Sequence, residues 1–207
     1  VHIPTLRLGI VQDQDTSLCR LRVTFNELDH MQSYWLPVVV PKTQNDKAYW
    51  LPDIGEQVIC LMDARDEDGV VLGAIYSQVD NTPVQSADKF HLGFKDGTAV
   101  EYDRAAHVLA ANFSDSTTIK YDGGAHSLSF NFTDQTAIKY DAAAHALSMT
   151  FSDGTTIKYD AAAHVFSILG GSGGSVLVSA PAGISLQSGT SYVNINPNGV
   201  TINPPLQ

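Results

Sequence analysis

Apolar and polar positions alternate with a period of two through residues 94–169, and the pattern recurs in four tandem copies of 19 residues. Phe94–Asn112 reads FKDGTAVEYDRAAHVLAAN, Phe113–Asn131 FSDSTTIKYDGGAHSLSFN, Phe132–Thr150 FTDQTAIKYDAAAHALSMT and Phe151–Leu169 FSDGTTIKYDAAAHVFSIL. In the fourth copy Ile157 and Tyr159 share one parity, and Thr156, Lys158 and Asp160 take the other. In the third, His145, Leu147, Met149 and Phe151 oppose Ala146, Ser148 and Thr150. Period two marks strands with one apolar face, and each copy holds two of them. A short gapless repeat of this kind builds length by stacking units that cannot bury their own apolar side.

Parity also sets the turns, because partners across an antiparallel ladder lie on the same face. Phe151 with Thr155, Met149 with Ile157 and Leu147 with Tyr159 are allowed pairs. They leave Ser152–Gly154 as a three-residue loop, with Gly154 in the left-handed position of a type I turn plus G1 bulge. At the other end of the unit the expected pairing is Tyr159 with His164, across a four-residue loop Asp160–Ala163. Copies two and three carry Ser116 and Gln135 where Gly97 and Gly154 stand. A non-Gly residue there costs about 1 kcal/mol, which leaves room for a different turn in those copies.

The product is an antiparallel meander with one apolar stripe, and no amphipathic helix or second strand set follows to cover it. An uncovered stripe of this size aggregates, so copies of the same chain are the expected cover: a homotrimer, its three sheets closed into a β-prism. The expected trimer core is Leu109 and Phe113, then Ile119, Tyr121, Leu128, Phe130 and Phe132. It continues with Ile138, Tyr140, Leu147, Met149 and Phe151, and ends with Ile157, Tyr159, Phe166 and Ile168.

Residues 1–88 form a different block. The β-rich runs Leu6–Val11, Leu18–Phe25, Trp35–Val40, Glu56–Met62 and Val70–Tyr76 are separated by Asp-, Gly- and Pro-containing turns. Five short strands without a helical period predict a small barrel. Trp35 and Trp50, in the twice-used string Tyr-Trp-Leu-Pro, are expected to plug the barrel or its trimer contact. Residues 89–169 hold the repeats. Residues 170–207 open with the hinge Gly170–Gly174 and continue as short apolar pairs: Val176 and Val178, Ile184 and Leu186, Val193 and Ile195, Val200 and Ile202. Pro181–Gly183, Gly189 and Pro197–Gly199 punctuate them. So short a stretch holds no core alone; intertwined with two partners it becomes a triple-stranded β-helix. The fold class is all-β throughout.

Charge narrows the partners. The formal net charge of −10 argues against nucleic acid, which needs clustered Lys and Arg, and against anionic lipid. No run of 18 apolar residues is present, and no basic region followed by an apolar one opens the chain, so no secretory leader is expected. Cys19 and Cys60, each in an apolar run, read as small buried hydrophobes rather than a disulfide or metal site.

The first block resembles the baseplate assembly protein V family, the central spikes of contractile phage tails and related tailocins. The resemblance is carried by Gly9-Ile10-Val11, Arg20-Leu21-Arg22-Val23, Trp35-Leu36-Pro37-Val38, Pro52-Asp53-Ile54-Gly55-Glu56-Gln57-Val58 and Asp68-Gly69-Val70-Val71-Leu72-Gly73, in that order. The segment Asp96–Asp103 is similar to the stretch immediately after the barrel in that family. The resemblance implies an OB-fold that docks a trimer to the baseplate hub protein, a β-helical shaft and an apex that pierces the outer membrane mechanically. It implies assembly in the bacterial cytoplasm and residence in the baseplate of a virion or tailocin; the absence of a catalytic motif or an inserted lysozyme-like domain leads us to expect no enzyme. Many relatives bind iron at a His-x-His apex. This chain has no His after His164, so no cofactor is carried over, and a separate PAAR-like tip protein is one way to complete the point. Two alternatives are the spike module of a type VI or extracellular injection system, and a trimeric fibre or adhesin.

Two groups invite a chemical reading. His107, His126, His145 and His164 recur on the apolar parity, and threefold symmetry would put three at each level, a geometry able to hold a metal. The structural reading is that each opens a strand beside the turn, bonded to Asp103, Asp122, Asp141 or Asp160. Asp63, Asp66, Glu67 and Asp68, with Arg65, read as a solvated loop rather than an acid–base cluster. No nucleophile-elbow, phosphate-loop or zinc-protease spacing is present.

Overall fold

A computed structural model describes residues 4–178, 184–189, 191–196 and 198–203. The chain divides between Thr82 and Pro83 into two compact units, both built of strands. Among the described residues no helix is long and apolar enough to cross a membrane.

The first unit contains β1 (Thr5–Asp15), β2 (Arg20–Phe25), β3 (Met31–Gln32), β4 (Leu36–Pro37), β5 (Gln57–Met62) and β6 (Gly69–Ala74). The sheet runs β3-β2-β1-β5-β6, and β4 pairs with β2. A parallel bridge from Val38 to Val71 ties the end of β4 to β6 and closes the sheet into a barrel, which removes its exposed edges. Val11, Leu21, Val23, Phe25, Leu36, Val58, Cys60, Met62 and Val71 fill the interior, each at most 1% exposed. Gly9 is required at the β1–β2 contact, since a Cβ there would lie 2.4 Å from Cγ1 of Val23.

Phe25, Leu21, Leu36 and Met62, not the tryptophans, plug this barrel. Trp35 is half-buried on the outside with the Arg22 guanidinium 4.9 Å from its ring centre, and Trp50 is exposed. A bulky indole does not fit a barrel this narrow when Phe25, Leu21, Leu36 and Met62 already fill it. Cys60 is buried as expected, but Cys19 sits in the β1–β2 turn at φ 54° rather than in a strand.

The second unit begins with β7 (Lys89–Gly93), β8 (Ala99–Asp103), β9 (Val108–Asn112), β10 (Thr118–Asp122) and β11 (Ser127–Asn131). It continues with β12 (Ala137–Asp141), β13 (Ala146–Thr150), β14 (Thr156–Asp160) and β15 (Val165–Leu169). These nine strands form one antiparallel sheet in chain order. The repeat alone predicts eight; β7 is the second half of a preceding copy whose first half is absent. At ~4.8 Å per strand the sheet is about 43 Å wide.

Both turn types are visible in hydrogen bonds. Phe151 N–H donates to Thr155 O at 2.8 Å and Gly154 N–H to Phe151 O at 2.9 Å, closing the three-residue loop that parity predicts. The Ser116 and Gln135 copies make the same two bonds, at φ 71° and 72° against 89° and 85° for Gly97 and Gly154. Those turns therefore do not differ. Each is held by its aspartate: Asp96, Asp115, Asp134 and Asp153 accept the backbone N–H and the hydroxyl of the Thr two residues on.

The other turn corrects the expected register. Tyr159 pairs with Phe166 and Asp160 with Val165, so the loop is Ala161–His164. His164 ends the turn and does not open a strand.

The Gly170–Gly174 stretch is a hydrogen-bonded turn rather than a free hinge: Gly171 N–H donates to Thr155 Oγ1 at 3.0 Å, and Gly174 N–H to Gly171 O at 2.9 Å. Val176 and Val178 lie outside any strand. Beyond them β16 (Ile184–Ser188), β17 (Ser191–Asn196) and β18 (Gly199–Asn203) form a separate antiparallel meander. Its register places Ile184, Leu186, Val193, Ile195, Val200 and Ile202 on one face. Pro181–Gly183, Pro197 and the terminal Pro204–Gln207 lie outside the described residues.

Candidate assembly surface

Strand register converts the 19-residue repeat into straight rows of side chains. One row crosses the nine-stranded sheet as Phe90, Tyr102, Leu109, Tyr121, Leu128, Tyr140, Leu147, Tyr159 and Phe166. Beside it run Leu92, Val100, Ala111, Ile119, Phe130, Ile138, Met149, Ile157 and Ile168. Phe94, Phe113, Phe132 and Phe151 continue the same parity at the turn edge. All sixteen side chains named for the trimer core thus lie on one face of one sheet.

That face is bare. Leu109, Tyr121, Tyr140, Leu147 and Tyr159 are 46–51% exposed, and Phe166 64%. Among the described residues of the second unit only Ala146 is fully buried, on the opposite face. A unit of this size without an interior cannot offset its conformational entropy by packing within itself.

The opposite face is charged and locally paired. Lys120–Asp122, Lys139–Asp141 and Lys158–Asp160 are 2.9–3.0 Å apart. In the first copy Glu101 replaces the lysine and meets Lys89 Nζ at 2.7 Å and His91 Nδ1 at 3.0 Å, both from β7. The charge reversal is explained by that neighbour. The turn aspartates also accept backbone N–H groups, Asp122 from Ala125 and Asp160 from Ala163. Those bonds, then the lysines, hold both carboxyls below the usual range. For Asp141 the order is Lys139, then Ala144.

The four histidines take no part in the apolar face. His107, His126, His145 and His164 are exposed and occupy the left-handed region at φ 48–56°, where His is several-fold enriched among non-glycine residues. The preceding aspartates cap turn N–H groups rather than the imidazoles. Among the described residues no group of three or more His, Cys, Asp or Glu is arranged to hold a metal. Each recurring His sits at the left-handed end of its turn, at a fixed spacing after its Asp.

In the carboxylate loop of the barrel, Asp63 Oδ1 accepts the N–H of Arg65 and Glu67 at 3.1 and 3.2 Å. Asp66 is bidentate to Arg7 at 3.0 and 2.9 Å. These groups shape a loop. They do not converge on a reacting atom.

Residues 7–76, the closed barrel, match the profile of the type VI secretion system/phage-baseplate injector OB domain. Over those residues the chain is similar to the injector OB domains. Over 108 residues it is 32% identical to the spike protein of Escherichia phage P2, a match covering 52% of this chain and 50% of the phage protein. The chain thus spans about half the length of that curated relative. Solved structures with some likeness include the SAS-4 (dCPAP) TCP domain of Drosophila melanogaster (14% identity, 60% of this chain and 97% of that one, TM-score 0.34). Another is the TCP10 domain of Danio rerio CPAP (13%, 55% and 68%, TM-score 0.27). Likenesses this slight carry no argument.

Proposed function

We propose that the chain is the central spike of a contractile, phage-type injection machine and works as a homotrimer. The observation that carries this is the uncovered, two-row apolar face on a sheet that follows an injector OB domain. Three sheets packed by those faces form a prism in which every strand is hydrogen-bonded to its neighbours and few hinges remain. The C-terminal meander, with its own one-sided apolar face, intertwines with two others as a β-helix towards the tip. The barrel docks to the baseplate hub, and the shaft transmits the thrust of a contracting sheath to the outer membrane.

In this reading the work is mechanical, with no catalytic residues, resident metal or nucleic-acid partner. The protein is assembled in the cytoplasm and resides in the tail baseplate of a virion or tailocin. The family covers type VI systems as well as phage baseplates, which favours one second reading: a type VI or extracellular injection spike carrying a separate PAAR-like tip.

Sedimentation equilibrium tests the assembly, with three times the 22.3 kDa chain mass as the expected result. A monomer at micromolar concentration would sink the proposal. Purified tail particles that contain the chain support the phage reading, and its recovery only with secreted type VI components supports the second.

A further inference from the structure

Alternation along β2 sends Leu21, Val23 and Phe25 into the barrel and leaves Arg20, Arg22 and Thr24 on its outer side. Both arginines are half-buried there, and the Nε of each is enclosed without a hydrogen-bond partner. Arg20 is still anchored, since its Nη2 meets Asp15 at 2.8 Å. Arg7 and Arg104 likewise hold Asp66 and Asp88, at 2.9 and 2.8 Å. Among the described residues no carboxylate lies within ion-pair distance of Arg22. Register sets Asp13 opposite it, yet Asp13 Oδ1 accepts the N–H of Gln14 at 2.9 Å. What braces the Arg22 guanidinium is the Trp35 ring, its centre 4.9 Å away. A guanidinium is a rigid fork of five donors and no acceptor. Enclosed polar groups are almost always bonded, so an arginine left without an acid in a chain of 22 Asp and Glu is one half of a contact.

We propose that Arg22, braced on Trp35, receives a carboxylate from a separate baseplate protein, a contact that rests on the reading of the barrel as the domain docked to the hub. Free donors on a full positive charge call for an anion, and charge-assisted pairs are the strong ones. A phosphate chain does not suit the site. Asp13 and Asp15 stand across β1 from the two arginines, and the net charge of −10 repels polyanions. A single carboxylate on a protein surface does suit it. Composition selects a separate protein over another copy of the chain. Obligate contacts between copies resemble a core cut in half, whereas surfaces for separate partners are rich in Trp, Tyr and Arg. Tyr34, next to Trp35 in the chain, is 63% exposed. Tyr49, 60% exposed, donates its hydroxyl to Thr16 O at 3.3 Å, in the turn that leads into β2. Stacking on the indole fixes the fork before the partner arrives, so less freedom is lost on docking.

The test titrates the full chain against the purified hub protein of the same tail by calorimetry, at about 50 and about 300 mM salt. The wild-type chain is expected to bind with an affinity that falls as salt rises. Arg22→Gln is expected to bind at least about tenfold more weakly and to lose most of that salt dependence. Arg22→Lys, which keeps the charge but neither the fork nor the stack, is expected to fall between them. Arg104→Gln, in the repeat sheet, is expected to bind like the wild type, and every variant to sediment like it. A hub that binds wild type and Arg22→Gln equally overturns this proposal and leaves the docking reading standing, whereas a hub that binds neither overturns both. Weaker binding with an unchanged salt dependence shows that Arg22 packs rather than pairs, and a change in sedimentation places the acid on another copy of the chain; each overturns the proposal. Should Arg22→Gln fail to fold, Arg22→Lys carries the comparison, and binding equal to the wild type again overturns it.

Discussion

The carbonyl of His107 accepts the backbone N–H of Gly123 at 2.8 Å, joining the turn of one repeat to the turn of the next. His126 with Ala142, at 3.1 Å, and His145 with Ala161, at 2.8 Å, repeat the link. The left-handed backbone at each His aims its carbonyl along the stack, so the residue serves the shaft through its main chain. His126→Asn or His126→Gly is therefore expected to leave the thermal midpoint unchanged or raise it, because both residues tolerate positive φ. His126→Val is expected to cost at least about 1 kcal/mol, through its β-branched clash in that region. A chelator is expected to leave the melt unchanged. A larger loss for Asn than for Val would show that the imidazole, not the backbone, matters.

Ser116 and Gln135 hold the same left-handed position as Gly97 and Gly154, around which a Cβ would meet nothing within 4 Å. Strain at the two non-glycine sites is thus conformational, not steric crowding from neighbours. Gln135→Gly and Ser116→Gly are each expected to stabilise the shaft by up to about 1 kcal/mol, and Gly154→Ala to destabilise it by a similar amount. Denaturation midpoints of the three variants check this. A destabilised Gln135→Gly would mean that the side chain makes a contact worth more than the strain.

Strand number and facing were readable because alternation is unambiguous where one face is apolar and the other carries Ser, Thr and Lys, as in Leu128–Phe130. Loop length was readable only where a further constraint acted. Phe151 with Thr155 was fixed by Gly154, whereas Tyr159 with His164 and Tyr159 with Phe166 satisfy parity equally. The left-handed His, invisible to alternation, decides between them. In the barrel, β1 and β5 are apolar on both parities, so sequence could not separate Cys60, inside, from Leu61, outside. Nor could it show that the tryptophans stay outside a core already filled by Phe25 and Leu36. The strand β7 was missed because it is half a repeat, with Phe90 and Leu92 in register but no partner copy to align with.

Carboxylate chemistry sets the pH dependence. Asp96, Asp115 and Asp153 are held low chiefly by the N–H groups of Thr98, Thr117 and Thr155. Asp103 is held low first by the N–H of Ala106, and Asp122, Asp141 and Asp160 by their turn N–H groups and lysines. Each folded value lies below the ordinary 3.8, so the unfolded chain binds protons first as pH drops. Their contribution is complete above 3.8 and is lost as pH falls through the folded values. The melting temperature is expected to be flat from neutral pH to about pH 5 and to fall steeply below about pH 4. Asp122→Asn is expected to give a shallower fall in that window. An unchanged slope would show that the Asp122 carboxyl titrates alike in both states.

Leu147 and Ser148 are adjacent in β13 but belong to opposite faces. Leu147 stands between Tyr140 and Tyr159 in the bare apolar row, and Ser148 between Lys139 and Lys158. If the apolar face is the contact between copies, Leu147→Asp buries three unpaired carboxylates per trimer, at several kcal/mol each, and sedimentation should show monomers or aggregates. Phe130→Asp, in the second row, is expected to do the same. Ser148→Asp instead brings a carboxylate between two lysines on the solvated face, so the trimer should persist with a midpoint unchanged or slightly raised, since exposed pairs are worth at most about 1 kcal/mol. Equal tolerance of Leu147→Asp and Ser148→Asp would mean that the apolar rows are not the contact. Loss of assembly with Ser148→Asp alone would place the contact on the lysine face.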